Sequence, residues 1–249
     1  MIGALVGTGV VAAAAAGAAA YQSMAPTAQW YGRTFIGLPQ GSKQLALTYD
    51  DGPNDPHTLH LLDVLAKHGV RATFFVIGRY VQRRPDIVRA LVKAGHSVGN
   101  HTFTHPHLVA SSAVETLAQL EECQRALLEV LGETPRLFRP PFGGRRPVTL
   151  RIARSLGLEP VLWNVTSWDW KMPPAEKIVQ TCVGQMRGGD VILMHDGGHR
   201  APGADRSQTV LATTRLIEKY KDEGREFVTI PQMMQKLPVG SPAPQVEGS

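Results

Sequence analysis

Apolar and polar positions alternate with period two over Gln44–Tyr49, and short apolar runs recur at Ala72–Ile77, His96–Gly99, Leu137–Arg139, Pro160–Asn164, Val191–Met194 and Phe227–Thr229. These are the patterns of half-buried and buried strands. The intervals between them carry helical spacing. Asp55-Pro56 opens one helix, Leu62, Leu65 and Ala66 give it an apolar stripe, and Gly69 closes it. Pro85-Asp86 opens the next, with Ile87, Leu91 and Ala94 on one face and Gly95 at its end. Further helices are expected over Ala113–Leu131, Pro147–Leu156, Pro174–Met186 and Ser207–Lys221. Strands alternating with helices predict a parallel sheet with right-handed crossovers. Seven such units predict a closed or nearly closed barrel, a fold that places its chemistry at the C-terminal ends of the strands.

Composition bounds this picture. The chain has 249 residues, 43% hydrophobic and 19% charged, enough for a full core in a single α/β domain. Its net charge of +5 is scattered, with only Arg83-Arg84 and Arg145-Arg146 adjacent. No basic stripe interleaved with aromatics marks a nucleic-acid partner. Cys123 and Cys182 lie in helix-like stretches without Cys-x-x-Cys spacing and are expected as buried free thiols. Residues 1–20 carry no charge and end in Ala18-Ala19-Ala20, the pattern of a signal peptide or of a membrane anchor of just sufficient length. That segment predicts a location outside the cytoplasm, secreted or membrane-anchored, against a bland Ala-rich leader as the alternative. Residues 21–42 read as a linker, 43–237 as the folded domain, and 238–249, rich in Pro, Gly and Ser, as a disordered tail. The chain is expected to act as a monomer.

Polar residues gather at the strand ends. The first strand runs into Asp50-Asp51-Gly52-Pro53, where the turn pair halts it and strand alternation sends the two carboxylates in different directions. A cation on one carboxylate leaves the other free as a base. The third strand ends in Gly99-Asn100-His101-Thr102-Phe103-Thr104-His105. Two histidines four apart face one point on a helical turn, and with one Asp they make an open, catalytic type of metal site. The fourth ends in Arg139-Pro140-Pro141-Phe142. Arg139 points to the same rim, and because proline has no N–H, the first backbone donor beyond it is that of Phe142, placed to hold an oxyanion. The fifth leads into Trp163-Asn164-Val165-Thr166-Ser167-Trp168-Asp169-Trp170. Trp168 and Trp170 offer faces for a sugar, and Trp163 is a candidate for the core. The sixth ends at His195, a group able to protonate a leaving amine.

Thr48-Tyr49-Asp50-Asp51-Gly52-Pro53, His101-Thr102-Phe103-Thr104-His105, Arg139-Pro140-Pro141-Phe142, Asp169-Trp170 and Leu193-Met194-His195 together resemble the polysaccharide deacetylases of the NodB-homology type, carbohydrate esterase family 4. The resemblance implies an α/β fold, a distorted (β/α)7 TIM-like barrel in one domain. It implies Asp50 as general base, Asp51, His101 and His105 as ligands of a divalent metal, and His195 as general acid. Arg139 would hold Asp50, Asp169 would orient His195, and Trp170 and Leu193 would line the pocket for an acetyl methyl. Zinc is the expected ion, with cobalt, nickel and manganese also compatible with two His and one Asp. The implied activity is removal of N-acetyl groups from an N-acetylglucosamine-containing glycan such as peptidoglycan or a chitooligosaccharide. Hydrolysis of an O-acetyl ester or a non-sugar amide, and a non-catalytic carbohydrate-binding relic, are the alternatives. Two positions depart from the pattern: Tyr49 stands where Phe is usual, and Thr166 where many members carry the first acid of Asp-x-x-Asp-Trp.

Overall fold

The computed structural model describes residues 15–236. Within them β1 (Gln44–Gly52), β2 (Thr73–Val76), β3 (Ser97–Asn100), β4 (Leu137–Phe138), β5 (Glu159–Pro160), β6 (Val165–Thr166) and β7 (Val191–His195) form one curled parallel sheet in the order β5-β4-β3-β2-β1-β7-β6. A short β8 (Glu226–Phe227) pairs with the start of β1. The expected α/β barrel is thus a half-barrel, with β1 between β2 and β7.

Helices cover the outside. They are α1 (His57–Lys67), α2 (Gly78–Arg83), α3 (Pro85–Lys93), α4 (Ala113–Leu131), α5 (Pro147–Ser155), α6 (Ala175–Gln185), α7 (Ser207–Asp222) and α8 (Ile230–Met234). The longest, α4, has the bounds its pattern predicts. Ser112 caps it through the Glu115 N–H at 3.1 Å, and Gly132 ends it at φ 77°. The short α2, which periodicity did not announce, begins where the backbone N–H groups of Gly78 and Arg79 bond the Thr102 and Phe103 carbonyls.

Strand alternation sorts the core into two layers. Leu45, Leu47 and Tyr49 of β1 join Phe74, Val76 and the helices in the outer layer. Ala46, Phe75, Val191, Leu193 and Trp163 fill the inner one, where Trp163 was expected. Cys123 and Cys182 are free and buried.

The stretch 21–42, read from sequence as a linker, packs against the barrel. Phe35, Ile36 and Leu38 are buried in the inner layer. Phe35 bridges to Val161 just past β5, and Gly37 to Asp190 just before β7. These contacts span the gap where β5 and β6 do not pair. Of the expected strand Pro160–Asn164 only Pro160 lies in a named strand, β5; the residues after it run between β5 and β6, where Leu162 and Asn164 donate to the carbonyls of Phe35 and Val191.

Of the apolar segment expected over 1–20, residues 1–14 lie outside the described residues, and 15–20 belong to an exposed helix. The tail expected over 238–249 also lies outside them. Among the described residues no helix is long and apolar enough to cross a membrane.

Candidate active site

The C-terminal ends of the strands surround a cavity of about 850 Å³, lined by Asp50, Asp51, His101, His105, Phe142, Trp170, Leu193 and His195 together with the loop that follows β7. Regular alternation would have turned Asp51 away from Asp50. A bulge in β1 between Asp50 and Gly52, with Asp51 at φ 74°, brings both carboxylates to the same cavity.

The two carboxylates have different company. Asp50 Oδ1 accepts a 2.8 Å hydrogen bond from Arg139, whose guanidinium also donates to Thr48 Oγ1 (2.8 Å) and to the carbonyls of Val161 (3.3 Å) and Leu162 (3.1 Å). Arg139 is wholly buried with its plane over Phe75. Burial lowers its pKa, and Asp50 acts against that shift. Asp51 Oδ1 lies 3.2 Å from His105 Nε2 and 3.5 Å from His101 Nε2, is buried, and has no hydrogen-bond partner. Burial alone would raise the Asp51 carboxyl, but the surrounding imidazoles hold it well below the usual carboxylate range.

The segment from His101 to His105 is not the helical turn expected. Thr102 and His105 both sit at φ 65°, held by side chains. Asn100 Oδ1 accepts from the Thr102 N–H (2.8 Å) and Thr102 Oγ1 from the His105 N–H (3.0 Å). His101 Nδ1 donates to the Arg139 carbonyl at 2.7 Å, which orients the ring so that Nε2 faces Asp51. Burial pushes His105 down to about 2, so its ring is neutral. Asp51, His101 and His105 offer ligand atoms all within 4.8 Å of one another. Bonds of about 2.0–2.1 Å at tetrahedral angles separate ligand atoms by roughly 3.3 Å, close to the 3.2 and 3.5 Å between Asp51 Oδ1 and the two imidazole nitrogens. The donor set, its protonation and the unpartnered Oδ1 all fit a divalent cation.

Across the cavity His195 Nδ1 donates to Asp169 Oδ1 at 2.8 Å, leaving Nε2 to face the cavity. Asp169 is buried and accepts three further hydrogen bonds, from the His195 N–H (2.7 Å), Ser167 (2.9 Å) and Thr209 (2.8 Å). Burial opposes a charge on the imidazole, but Asp169 outweighs it and raises His195 to about 9. Trp170 lies 5.2 Å from the His195 ring, and Leu193 is buried in the cavity wall. Phe142, at φ 58°, packs edge-on to His105. Trp168 is exposed at the rim against Trp170 at 4.8 Å, outside the cavity lining. At the two departures from the sequence pattern, Tyr49 bonds Thr213 in the outer core, and Thr166 accepts from Trp163 Nε1.

Sequence reasoning passed over Thr48, Ser167, Thr209 and the loop residue His199. Thr48 was open to discovery, since period two puts it on the same face as Asp50. The other three reach the site only through the fold.

The profile of the polysaccharide deacetylase family matches residues 37–161. A peptidoglycan-N-acetylglucosamine deacetylase of Bacillus cereus is 37% identical over 203 residues, covering 80% of this chain and 91% of its own. The chain belongs to the polysaccharide deacetylase family. A chitooligosaccharide deacetylase of Sinorhizobium fredii is 39% identical over 208 residues, covering 81% of this chain and 97% of its own. Among solved structures, a peptidoglycan N-acetylglucosamine deacetylase in complex with 4-naphthalen-1-yl-N-oxidanyl-benzamide is 35% identical with TM-score 0.76, over 82% of this chain and 93% of its own. The fold also accommodates inactivity. A carbohydrate esterase family 4 pseudoenzyme from Bacillus anthracis is 28% identical with TM-score 0.75, over 81% of this chain and 69% of its own.

Proposed function

We propose that this polysaccharide deacetylase family member is a metal-dependent hydrolase that removes N-acetyl groups from an N-acetylglucosamine-containing glycan, peptidoglycan or a chitooligosaccharide, releasing acetate. The observation that carries this reading is the buried Asp51–His101–His105 cluster with its unpartnered carboxylate oxygen, flanked by the Arg139–Asp50 and Asp169–His195 pairs. The relatives that share most of this chain's length bear those two substrates in their names. The chemistry a divalent cation supplies in such a cluster, zinc above all or cobalt, nickel or manganese, is polarisation of a carbonyl and acidification of water.

The chain's own groups do the rest. Asp50, with Arg139 fixing one oxygen, accepts the proton of the attacking water. The Phe142 N–H donates to the oxyanion of the tetrahedral intermediate. His195 carries its proton on Nε2 and delivers it to the departing amine, while Asp169 keeps the ring in place. Trp170 and Leu193 form the wall against the acetyl methyl, and Trp168 extends a stacking face for a neighbouring sugar. The uncharged run of residues 1–20 supports a location outside the cytoplasm, secreted or anchored.

The test is acetate release by the zinc-reconstituted protein from an N-acetylglucosamine oligomer, from peptidoglycan and from O-acetylated xylan, each with and without chelator. Chelator-sensitive acetate from either N-acetyl substrate is expected, and Asp50→Asn should abolish it while zinc content stays unchanged. Acetate from xylan alone would make the protein an esterase. Silence on all three with zinc bound would place it beside the pseudoenzyme.

A further inference from the structure

We infer that His199 is a positioning residue for Asp51 and thereby sets the affinity of the Asp51–His101–His105 cluster for its cation, an inference that rests on the metal-site reading above. The two oxygens of Asp51 have different surroundings. Oδ1 faces His101 and His105, whereas Oδ2 faces His199 Nδ1 at 3.7 Å. That separation exceeds a hydrogen bond, so the contact aligns the carboxylate without binding it tightly. An imidazole beside Oδ2 disfavours rotations of the carboxylate that would turn Oδ1 away from the cation.

His199 belongs to the loop between β7 and α7, distant in sequence from the cluster, and the structure fastens it there. Its ring stacks on His105 (centroids 4.6 Å apart, planes at 18°) and meets Phe142 edge-on at 5.1 Å. Its carbonyl accepts from Arg79, and Tyr80 Oη lies within reach of the Gly198 and His199 carbonyls, at 3.2 and 3.3 Å. Asn54, just past the Asp50-Asp51 turn, donates to the carbonyls of Asp196 and Ala204 and accepts from the Gly203 N–H. Arg206 Nε donates to the Gly197 carbonyl at 2.7 Å. The close approach requires glycine at 197, where any Cβ would collide with the Asp51 carbonyl. Polar groups from the turn after β1, from α2 and from the loop itself are therefore committed to holding one imidazole beside one carboxylate oxygen.

Outer partners of metal ligands change metal affinity by about 10–100-fold when removed. The experiment measures zinc binding to the full chain by competition with a chromophoric chelator, together with the visible absorption of the cobalt-loaded protein. His199→Phe keeps the stacked ring but has no nitrogen, and His199→Asn restores an N–H donor without the ring. Zinc should bind about 10–100-fold more weakly in H199F and recover most of that loss in H199N, with the cobalt bands altered in the first and returned in the second. Wild-type affinity in H199F would overturn the inference, as would weakening in His199→Ala alone, which would reduce His199 to packing. His101→Ala separates the two levels. If it loses zinc while H199F does not, only the role of His199 falls. If it binds zinc as well as wild type, the metal-site reading falls and this inference with it.

Discussion

Asp169 is filled on both oxygens by groups from the Ser167 loop, the end of β7 and the first turn of α7. A carboxylate so satisfied stays ionised: burial alone would raise its pKa, and His195 and Thr209 hold it below its ordinary value. Its partner shows the opposite shift. With His195 raised to about 9 from an ordinary value of about 6.5, the stabilisation from the pair is fully present below about pH 6.5 and is lost as pH rises through about 9. A protonated His195 is also the form able to give up a proton, so the alkaline limb of the kcat profile should follow its titration. In Asp169→Asn the limb should move to lower pH, and kcat should fall by at least tenfold at pH 8. An unmoved limb in a pH–rate series would remove His195 from the proton transfer. At this scale the sequence was informative where partners are close along the chain, as with Asp50-Asp51, His101 with His105, and Asp169-Trp170. Thr209 and His199 could not be read there, because an ordinary helix threonine and a loop histidine acquire their roles only when α7 and the loop before it close over the site.

Strand ends, rather than strands, carry the unusual backbone. Asp51, Thr102, His105, Phe142, Trp168 and Met172, the positive-φ residues other than glycine among those described, all lie at or beside the mouth of the cavity. Such conformations cost about 1–3 kcal/mol each and persist when the surroundings over-determine them. Arg139 is the main restraint, joining the end of β4 to β1 and to the carbonyls of the segment after β5. Arg139→Met should lower stability by about 3–5 kcal/mol, because it leaves a buried carboxylate and two carbonyls without their donor. Denaturant unfolding checks this, and a loss under 1 kcal/mol would show that water takes over those bonds. This restraint also explains why the pattern over Pro160–Asn164 was misleading. Its apolar residues have the run length of a buried strand, but they spend their backbone bonds on Arg139, Phe35 and Val191. The first strand was legible from Gln44 to Tyr49, but its continuation through the bulge to Gly52 was not, since no periodicity announces a bulge.

At the scale of the whole molecule, the parallel sheet and most of its covering helices followed from alternation of strands and helices, although the barrel that alternation predicted is open as a half-barrel. The part played by residues 34–38 did not follow from it. A short stretch after Tyr31-Gly32-Arg33 has too few apolar positions to show a period, and its partners Val161 and Asp190 are more than a hundred residues away. Phe35, Ile36 and Leu38 are nevertheless buried, and each such side chain is worth about 1.5–3 kcal/mol. Their sum approaches the 5–15 kcal/mol that holds a typical domain together. A chain beginning at residue 39 should therefore unfold at a much lower temperature than the full chain, which a thermal melt followed by circular dichroism would show. The bridge has a second consequence, for self-association. Without Phe35 and Gly37, the unpaired groups beside Val161 and Asp190 become open sheet edges next to an uncovered apolar layer, a template for another copy to add its own strand. The shortened protein should scatter light as its concentration rises while the full chain stays clear, the outcome expected if the residues that complete the sheet also guard its edges.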